Sequence, residues 1–186
     1  MPTFDTPEPV RATVEVVVGD VRVTASDRAD TVVQVRPSDA GHEPDVRAAE
    51  QTRVEFDAGG LLVRAPRARA LGLFGKSASI DVTIELPAGS QVHADCTMTA
   101  FHTVGRLGEC RVKNSAGDIS IDQAGVVELT TGAGAVTVER AGGHAEIKTG
   151  TGRIRLREAG GSAVIKNSNG DTWVGEIAGE LRVHAA

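Results

Sequence analysis

Residues 145–162 of the chain are AEIKTGTGRIRLREAGGS and residues 163–180 are AVIKNSNGDTWVGEIAGE, two adjoining stretches that repeat one pattern. Each has alanine at its first position, isoleucine at its third and glycine at its eighth, and apolar residues return at the twelfth and fifteenth. Positions one and three have the two-residue period of a strand with one buried face, and so do positions ten and twelve. The glycine between them suits a tight turn that needs a positive φ. Each stretch therefore predicts a strand, a turn, a second strand and a second turn.

The pattern extends beyond these two repeat units. Earlier units occupy 110–126 and 127–144, a partial unit occupies 181–186, and a less regular unit near 92–109 has Thr99 in place of the turn glycine. The eighth position is glycine in all four regular units: Gly117, Gly134, Gly152 and Gly170. One such unit cannot bury its apolar face alone, so the units must stack about 4.8 Å apart. For residues 91–186 we predict a right-handed parallel β-solenoid with coils of 17 to 18 residues, because parallel crossovers nearly always have that hand.

Residues 1–90 predict a separate N-terminal antiparallel β region with one short helix. Valines alternate along residues 12–36, and Gly19-Asp20 offers a tight turn between two strands. Pro44 and an acidic first turn favour a helix at Asp45–Gln51. Further strands are predicted at Arg53–Phe56, Leu61–Arg64 and Ile80–Leu86, the first two joined by a hairpin turn at Gly59-Gly60.

A long loop at residues 65–79 lies between the last two of these strands. It combines apolar and basic side chains, among them Arg67, Leu71 and Phe74, and it has no clear period. Loops of this length are uncommon inside compact domains unless they have a function. The loop is interpreted either as a lid or docking segment, or as an irregular connection that packs its own leucine and phenylalanine side chains.

Composition and charge exclude several classes of protein. The 186 residues are 40% hydrophobic but only 3% aromatic, so the core must consist of many thin aliphatic layers. The net charge is −5 and neither half is basic, which argues against a nucleic-acid partner. The chain contains no run of about 18 apolar residues, so the sequence does not predict a transmembrane segment. Residues 1–5 lack the basic start and apolar run of a secretory signal, so we expect a cytoplasmic protein, or a cell-surface protein if an export signal is missing from this chain.

Residue types that carry catalysis or bind metals do not form any known pattern in this chain. The glycines recur once per unit without a following Gly-Lys-Ser/Thr, and the histidines have no zinc-binding spacing. We therefore expect no catalytic residues, no metal site and no cofactor. Cys96 and Cys110 fall at the fifth and the first position of successive units, so we predict two free thiols rather than a disulfide.

One outward row of side chains is a candidate ligand-binding site. Arg153, Arg155 and Arg157 alternate within one predicted strand, so all three should point to solvent. Stacking of the units predicts three contacts: Arg157 with Glu139, Arg153 with Asp171, and Arg155 with Trp173. The row is interpreted either as a solvated charged ladder that keeps the sheet soluble, or as a platform for an anion or a glycan.

Four short segments resemble a known family. NSAGD at 114–118 and NSNGD at 167–171 are similar to the strand–turn units of bacterial putative-adhesin domains of unknown function. FDTPEP at 4–9 and ELPAGS at 85–90 are similar to that family too. The resemblance covers nearly the whole chain, and it implies an all-β solenoid without known catalysis and without assigned functional residues.

Two functions follow as hypotheses. The first is a non-enzymatic, adhesin-like binding or scaffold module that presents side-chain ladders to a protein or glycan partner. The second is a carbohydrate-active β-helix enzyme, which would need clustered carboxylates in a groove and more aromatic subsites than one tryptophan provides. Leu181 and Val183 begin a unit that stops at Ala186, so we also expect self-association through this uncapped C-terminal end.

Overall fold

The computed structural model of the chain describes residues 1–67 and 77–185. In this part of the chain the protein is an all-β structure with a single helix, α1, at Glu43–Gln51. The strands are β1 (Thr3–Asp5), β2 (Arg11–Ser26), β3 (Asp30–Pro37), β4 (Arg53–Asp57), β5 (Gly60–Arg64), β6 (Ile80–Pro87), β7 (Gln91–Val104), β8 (Arg106–Ala116), β9 (Ile119–Ala133), β10 (Val136–Ala141), β11 (Ala145–Thr151), β12 (Ile154–Ala159), β13 (Ala163–Asn169), β14 (Thr172–Ile177) and β15 (Leu181–Ala185). They form one 15-stranded sheet of mixed orientation.

All strand pairs from β7 onward are parallel, and they join like positions of the repeat units. The first-position residues form one continuous row of paired neighbours: Cys110, Val127, Ala145, Ala163 and Leu181. The third-position residues are likewise neighbours, and Leu129, Ile147 and Ile165 are at most 1% exposed. Inward side chains of the same kind therefore lie directly above one another, which builds a mostly aliphatic core that also holds the fully buried Phe101.

The eighth-position glycines form the predicted column at one corner. Gly117, Gly134, Gly152 and Gly170 all have positive φ, between 123° and 149°. A Cβ on Gly134 would lie 2.2 Å from the carbonyl oxygen of Gly117, and one on Gly152 would lie 2.0 Å from that of Gly134. Both the backbone conformation and the lack of space therefore require glycine here.

A second column, inside the same corner, is polar and was not predicted. The fifth-position residues Asn114, Thr131, Thr149 and Asn167 are paired neighbours and are all buried. The Asn114 side-chain amide donates to the Thr99 carbonyl oxygen (2.6 Å), and that of Asn167 donates to the Gly152 carbonyl oxygen (3.1 Å). The two asparagine amides therefore satisfy backbone carbonyl groups of the glycine corner, whereas Thr149 Oγ1 and Asn114 Oδ1 have no hydrogen-bond partner among the described residues.

The predicted hairpin at Gly19-Asp20 is wrong. β2 continues through both residues as one strand, and its pairings with β7, β5 and β6 are all parallel. The buried residues of β2 have the spacing of a repeat unit. Ala12, Val14, Val16, Val21 and Val23 correspond to positions one, three, five, ten and twelve, and Gly19 corresponds to position eight. The change of phase at Gly19 is therefore a corner between two inward runs and not a chain reversal.

Among the described residues, antiparallel pairing is confined to three pairs of strands, β1–β3, β3–β6 and β4–β5. β5 and β6 pair with successive parts of β2 from the side opposite β7. The predicted antiparallel pairing is thus correct for β3 and for β4 with β5 but wrong for β2, and β1 was not predicted. The predicted helix and the β4–β5 hairpin are confirmed.

The C-terminal end of the predicted 65–79 loop is tied to α1. Ser79 donates its backbone N–H to the buried carboxylate of Asp45 (2.9 Å), which also accepts from the His42 ring (2.7 Å). Residues 68–76, on which both interpretations of the loop depend, lie outside the described residues. Both interpretations therefore stay predictions.

Self-association through the C-terminal end also stays a prediction. β15 pairs with β13, and β14 pairs with β12. Leu181 is 42% exposed and Val183 is 44% exposed. These two side chains occupy the rows that are fully buried one unit earlier, at Ala163 and Ile165.

Thiol titration checks the strand register around the two cysteines. Cys110 pairs with Val92, four residues along β7 from Cys96, which separates the Cα atoms of the two cysteines by about 14 Å. Burial raises the pKa of Cys96 to about 11 and that of Cys110 to about 12. We therefore expect slow reaction of both thiols in the native protein and two fast-reacting thiols after unfolding without reductant. An unreduced, unfolded monomer with no reactive thiol would contradict this register.

Candidate functional site

The predicted arginine row lies on β12 and on the residue that precedes it. Ile154 and Leu156 are fully buried, so the residues between and beside them point outward. We call the four residues Arg153, Arg155, Arg157 and Trp173 the Arg–Trp surface. All four are exposed, and Arg155 lies in register between Thr137 of β10 and Trp173 of β14.

Two of the three predicted contacts are present. The Arg155 guanidinium carbon lies 4.9 Å from the centre of the Trp173 ring, within range of a cation–π interaction. Arg157 Nη1 lies 3.4 Å from Glu139 Oε2. Arg153 and Asp171 do not form an ion pair within 4.0 Å in the described structure, so that prediction is wrong. Both side chains are exposed, and hydration of exposed charges competes with so weak a pair.

The indole ring of Trp173 extends along β14 toward Gly175. A Cβ on Gly175 would lie 2.2 Å from the Arg157 carbonyl oxygen and 3.2 Å from Trp173 Cη2, so glycine fits both the close backbone approach and the ring. Trp173 remains 49% exposed although Arg155 contacts it. Sequence reasoning missed this feature. The sequence does carry a signal for this ring position: Gly175 is at the thirteenth position of its unit, where the earlier units have Asp122, Glu139 and Arg157.

Several cations elsewhere on the sheet have close carboxylate partners, whereas Lys113 and Lys166 have none within 4.0 Å among the described residues. Arg140 Nη2 lies 2.9 Å from Glu158 Oε2, and Lys148 Nζ lies 2.6 Å from Glu146 Oε1. The hydrogen bond from Lys148 lowers the pKa of Glu146. These pairs fit the solvated ladder that the sequence predicted as one interpretation. On the Arg–Trp surface only Arg157 of the arginines has such a partner among the described residues, and Arg155 contacts the Trp173 ring instead.

Metal-binding clusters and membrane-spanning helices are both absent from the described residues. No group of three or more His, Cys, Asp or Glu side chains among residues 1–67 and 77–185 could hold a metal ion. The helix in that part of the chain is too short and too polar to cross a membrane.

Comparison with known proteins gives distant structural neighbours. No protein-family model and no curated protein matches the chain. Alignments over 100% of this chain relate it to crystal structures of a putative adhesin from Bacteroides fragilis NCTC 9343 (13% identity, 95% of that chain, TM-score 0.39), a putative adhesin from Parabacteroides distasonis ATCC 8503 (13%, 95%, 0.40) and a putative cell adhesion protein from Clostridium sporogenes ATCC 15579 (11%, 98%, 0.38). These names agree with the family that the sequence motifs resemble. A likeness this distant bears on neither ligand nor activity.

Proposed function

We propose that the chain is a non-enzymatic, adhesin-like binding or scaffold module built as a right-handed parallel β-solenoid with coils of 17 to 18 residues. The parallel rows from Cys110 to Leu181 support this, since consecutive members are 17 or 18 residues apart. Each coil then adds one outward side chain to every row at a spacing of about 4.8 Å. An experimental structure with left-handed crossovers would contradict the proposed hand.

The contact between Arg155 and Trp173 is the observation that carries the proposed binding role. A half-exposed indole offers an apolar face for a sugar ring or an apolar side chain, and the guanidinium offers fixed hydrogen-bond donors. Arg155 arises from a strand whose neighbouring residues Ile154 and Leu156 are locked in the core, and Trp173 lies in register beside it on β14. Such a surface binds with little loss of side-chain freedom, which favours affinity.

Binding to immobilised glycans and to host proteins tests this role. We expect Arg155→Ala and Trp173→Ala each to lower the affinity for the captured ligand at least tenfold, or about 1.4 kcal/mol. Arg22→Ala is the matched control, because Arg22 is an exposed arginine on β2, remote from β12 along the sheet. A ligand that binds both site variants as tightly as it binds the parent protein would place binding on another surface.

A further inference from the structure

The Arg–Trp surface has positive charge that its neighbours do not neutralise. Of its three guanidinium groups, only Arg157 lies within 4.0 Å of a carboxylate in the described structure, and that distance to Glu139 is 3.4 Å. Arg155 contacts the uncharged Trp173 ring instead. Two guanidinium groups are therefore available to an anion from solvent.

The spacing of these groups suits an extended ligand. Alternate residues on a strand are about 6.6 Å apart, and paired residues on neighbouring strands are about 4.8 Å apart. Arg153 and Arg155 therefore line up along β12, and the half-exposed Trp173 ring lies beside Arg155 on β14. Guanidinium groups bind carboxylates and sulfates through paired N–H donors, and the indole provides an apolar face next to them.

We propose that the Arg–Trp surface binds a linear acidic glycan. Carboxylate or sulfate groups of the glycan contact Arg153 and Arg155, and one of its sugar rings packs on the exposed part of Trp173. Trp173 also holds the Arg155 guanidinium in place, so it acts as a positioning residue for the anion. This inference rests on the proposed function, because it names the ligand class of the same surface.

The charges around the site favour an acidic glycan over a nucleic acid. Glu139 on β10 and Asp171, the residue before β14, lie on either side of the arginine row, so the positive strip is only one strand wide. The chain as a whole has a net charge of −5. A nucleic acid places its phosphates densely on a wide surface and would meet these carboxylates. A glycan with its anions separated by sugar rings avoids them.

Titration calorimetry with three oligosaccharides of equal length tests the inference: a polyuronate, a sulfated chain and a neutral chain. We expect at least one of the two acidic chains to bind. Tighter binding of the polyuronate would identify carboxylate as the preferred anion, and tighter binding of the sulfated chain would identify sulfate. Arg153→Ala and Arg155→Ala should each weaken that binding about tenfold, and Arg22→Ala should leave it unchanged.

The affinity should also fall as salt rises from about 0.05 M to about 0.5 M, because the contacts are ionic and exposed. Arg155→Lys, which keeps the charge but loses the planar fork, should recover only part of the loss.

Each other outcome overturns the inference in a distinguishable way. Binding of the neutral chain as tight as that of the acidic chains, lost only in Trp173→Ala, would refute the acidic ligand but keep the proposed binding role. Stronger binding of a DNA oligonucleotide of equal charge would assign the surface to nucleic acid. If no oligosaccharide binds, and no ligand captured from host extracts depends on Arg155 or Trp173, both proposals fail. Denaturant melts of every variant show whether a loss of binding reflects unfolding.

Discussion

Gly152→Ala is expected to destabilise the protein by about 2–5 kcal/mol, as the sum of backbone strain and overpacking. Gly152 has a φ of 149°, which side chains other than glycine rarely adopt. An added Cβ would lie 2.0 Å from the carbonyl oxygen of Gly134 in the neighbouring repeat unit. That oxygen belongs to the backbone of a paired layer, so it cannot move without breaking the register of the strands above and below it.

Gly142→Ala is the matched control for this substitution. Gly142 belongs to the other corner of the repeat, and the nearest atom to an added Cβ is the Gly125 Cα at 3.6 Å, an ordinary contact. The loss of stability should therefore stay within about 0.5 kcal/mol. Urea melts of the two variants give the comparison, with unchanged slopes indicating that both still unfold in one step. Similar midpoints for the two variants would show that the glycine column is not a structural requirement.

The repeat units were predictable because local pattern and tertiary contact coincide in them. Each unit pairs with the next one along the chain, so an alignment of the sequence with itself already gives the register of Leu129, Ile147 and Ile165. β2 follows the same pattern but pairs with β7, at residues 80 positions later, and with β5 and β6. Alternation shows which side of a strand is buried but not which strand lies beside it.

The candidate site was predictable to the same extent. The register fixed by the repeats places Arg155 beside Trp173 and Arg157 beside Glu139. The failed pair of Arg153 and Asp171 shows where that reasoning ends, because being neighbours in a row does not decide whether two exposed charges meet. The position of the Trp173 ring over Gly175 depends on a side-chain rotamer, which no sequence pattern specifies.

Ile147→Ala is expected to reduce the free energy of unfolding by about 2–5 kcal/mol. Ile147 is fully buried and lies in register between Leu129 and Ile165, which are also buried. Loss of its side chain leaves a cavity between two layers whose separation is set by backbone hydrogen bonds. The layers cannot close on it, because strands stay about 4.8 Å apart whatever their side chains are.

Trp173→Ala removes a larger side chain from the outward face and should cost about 1 kcal/mol or less, from lost contact with Arg155 and some lost buried area. The two variants therefore separate a residue that supports the core from one that is available for binding. Denaturant melts under identical conditions give both values. A greater loss for Trp173→Ala than for Ile147→Ala would mean that the inward and outward rows have been exchanged. A one-residue shift of register would produce that result, since it moves every side chain of a strand to the opposite face.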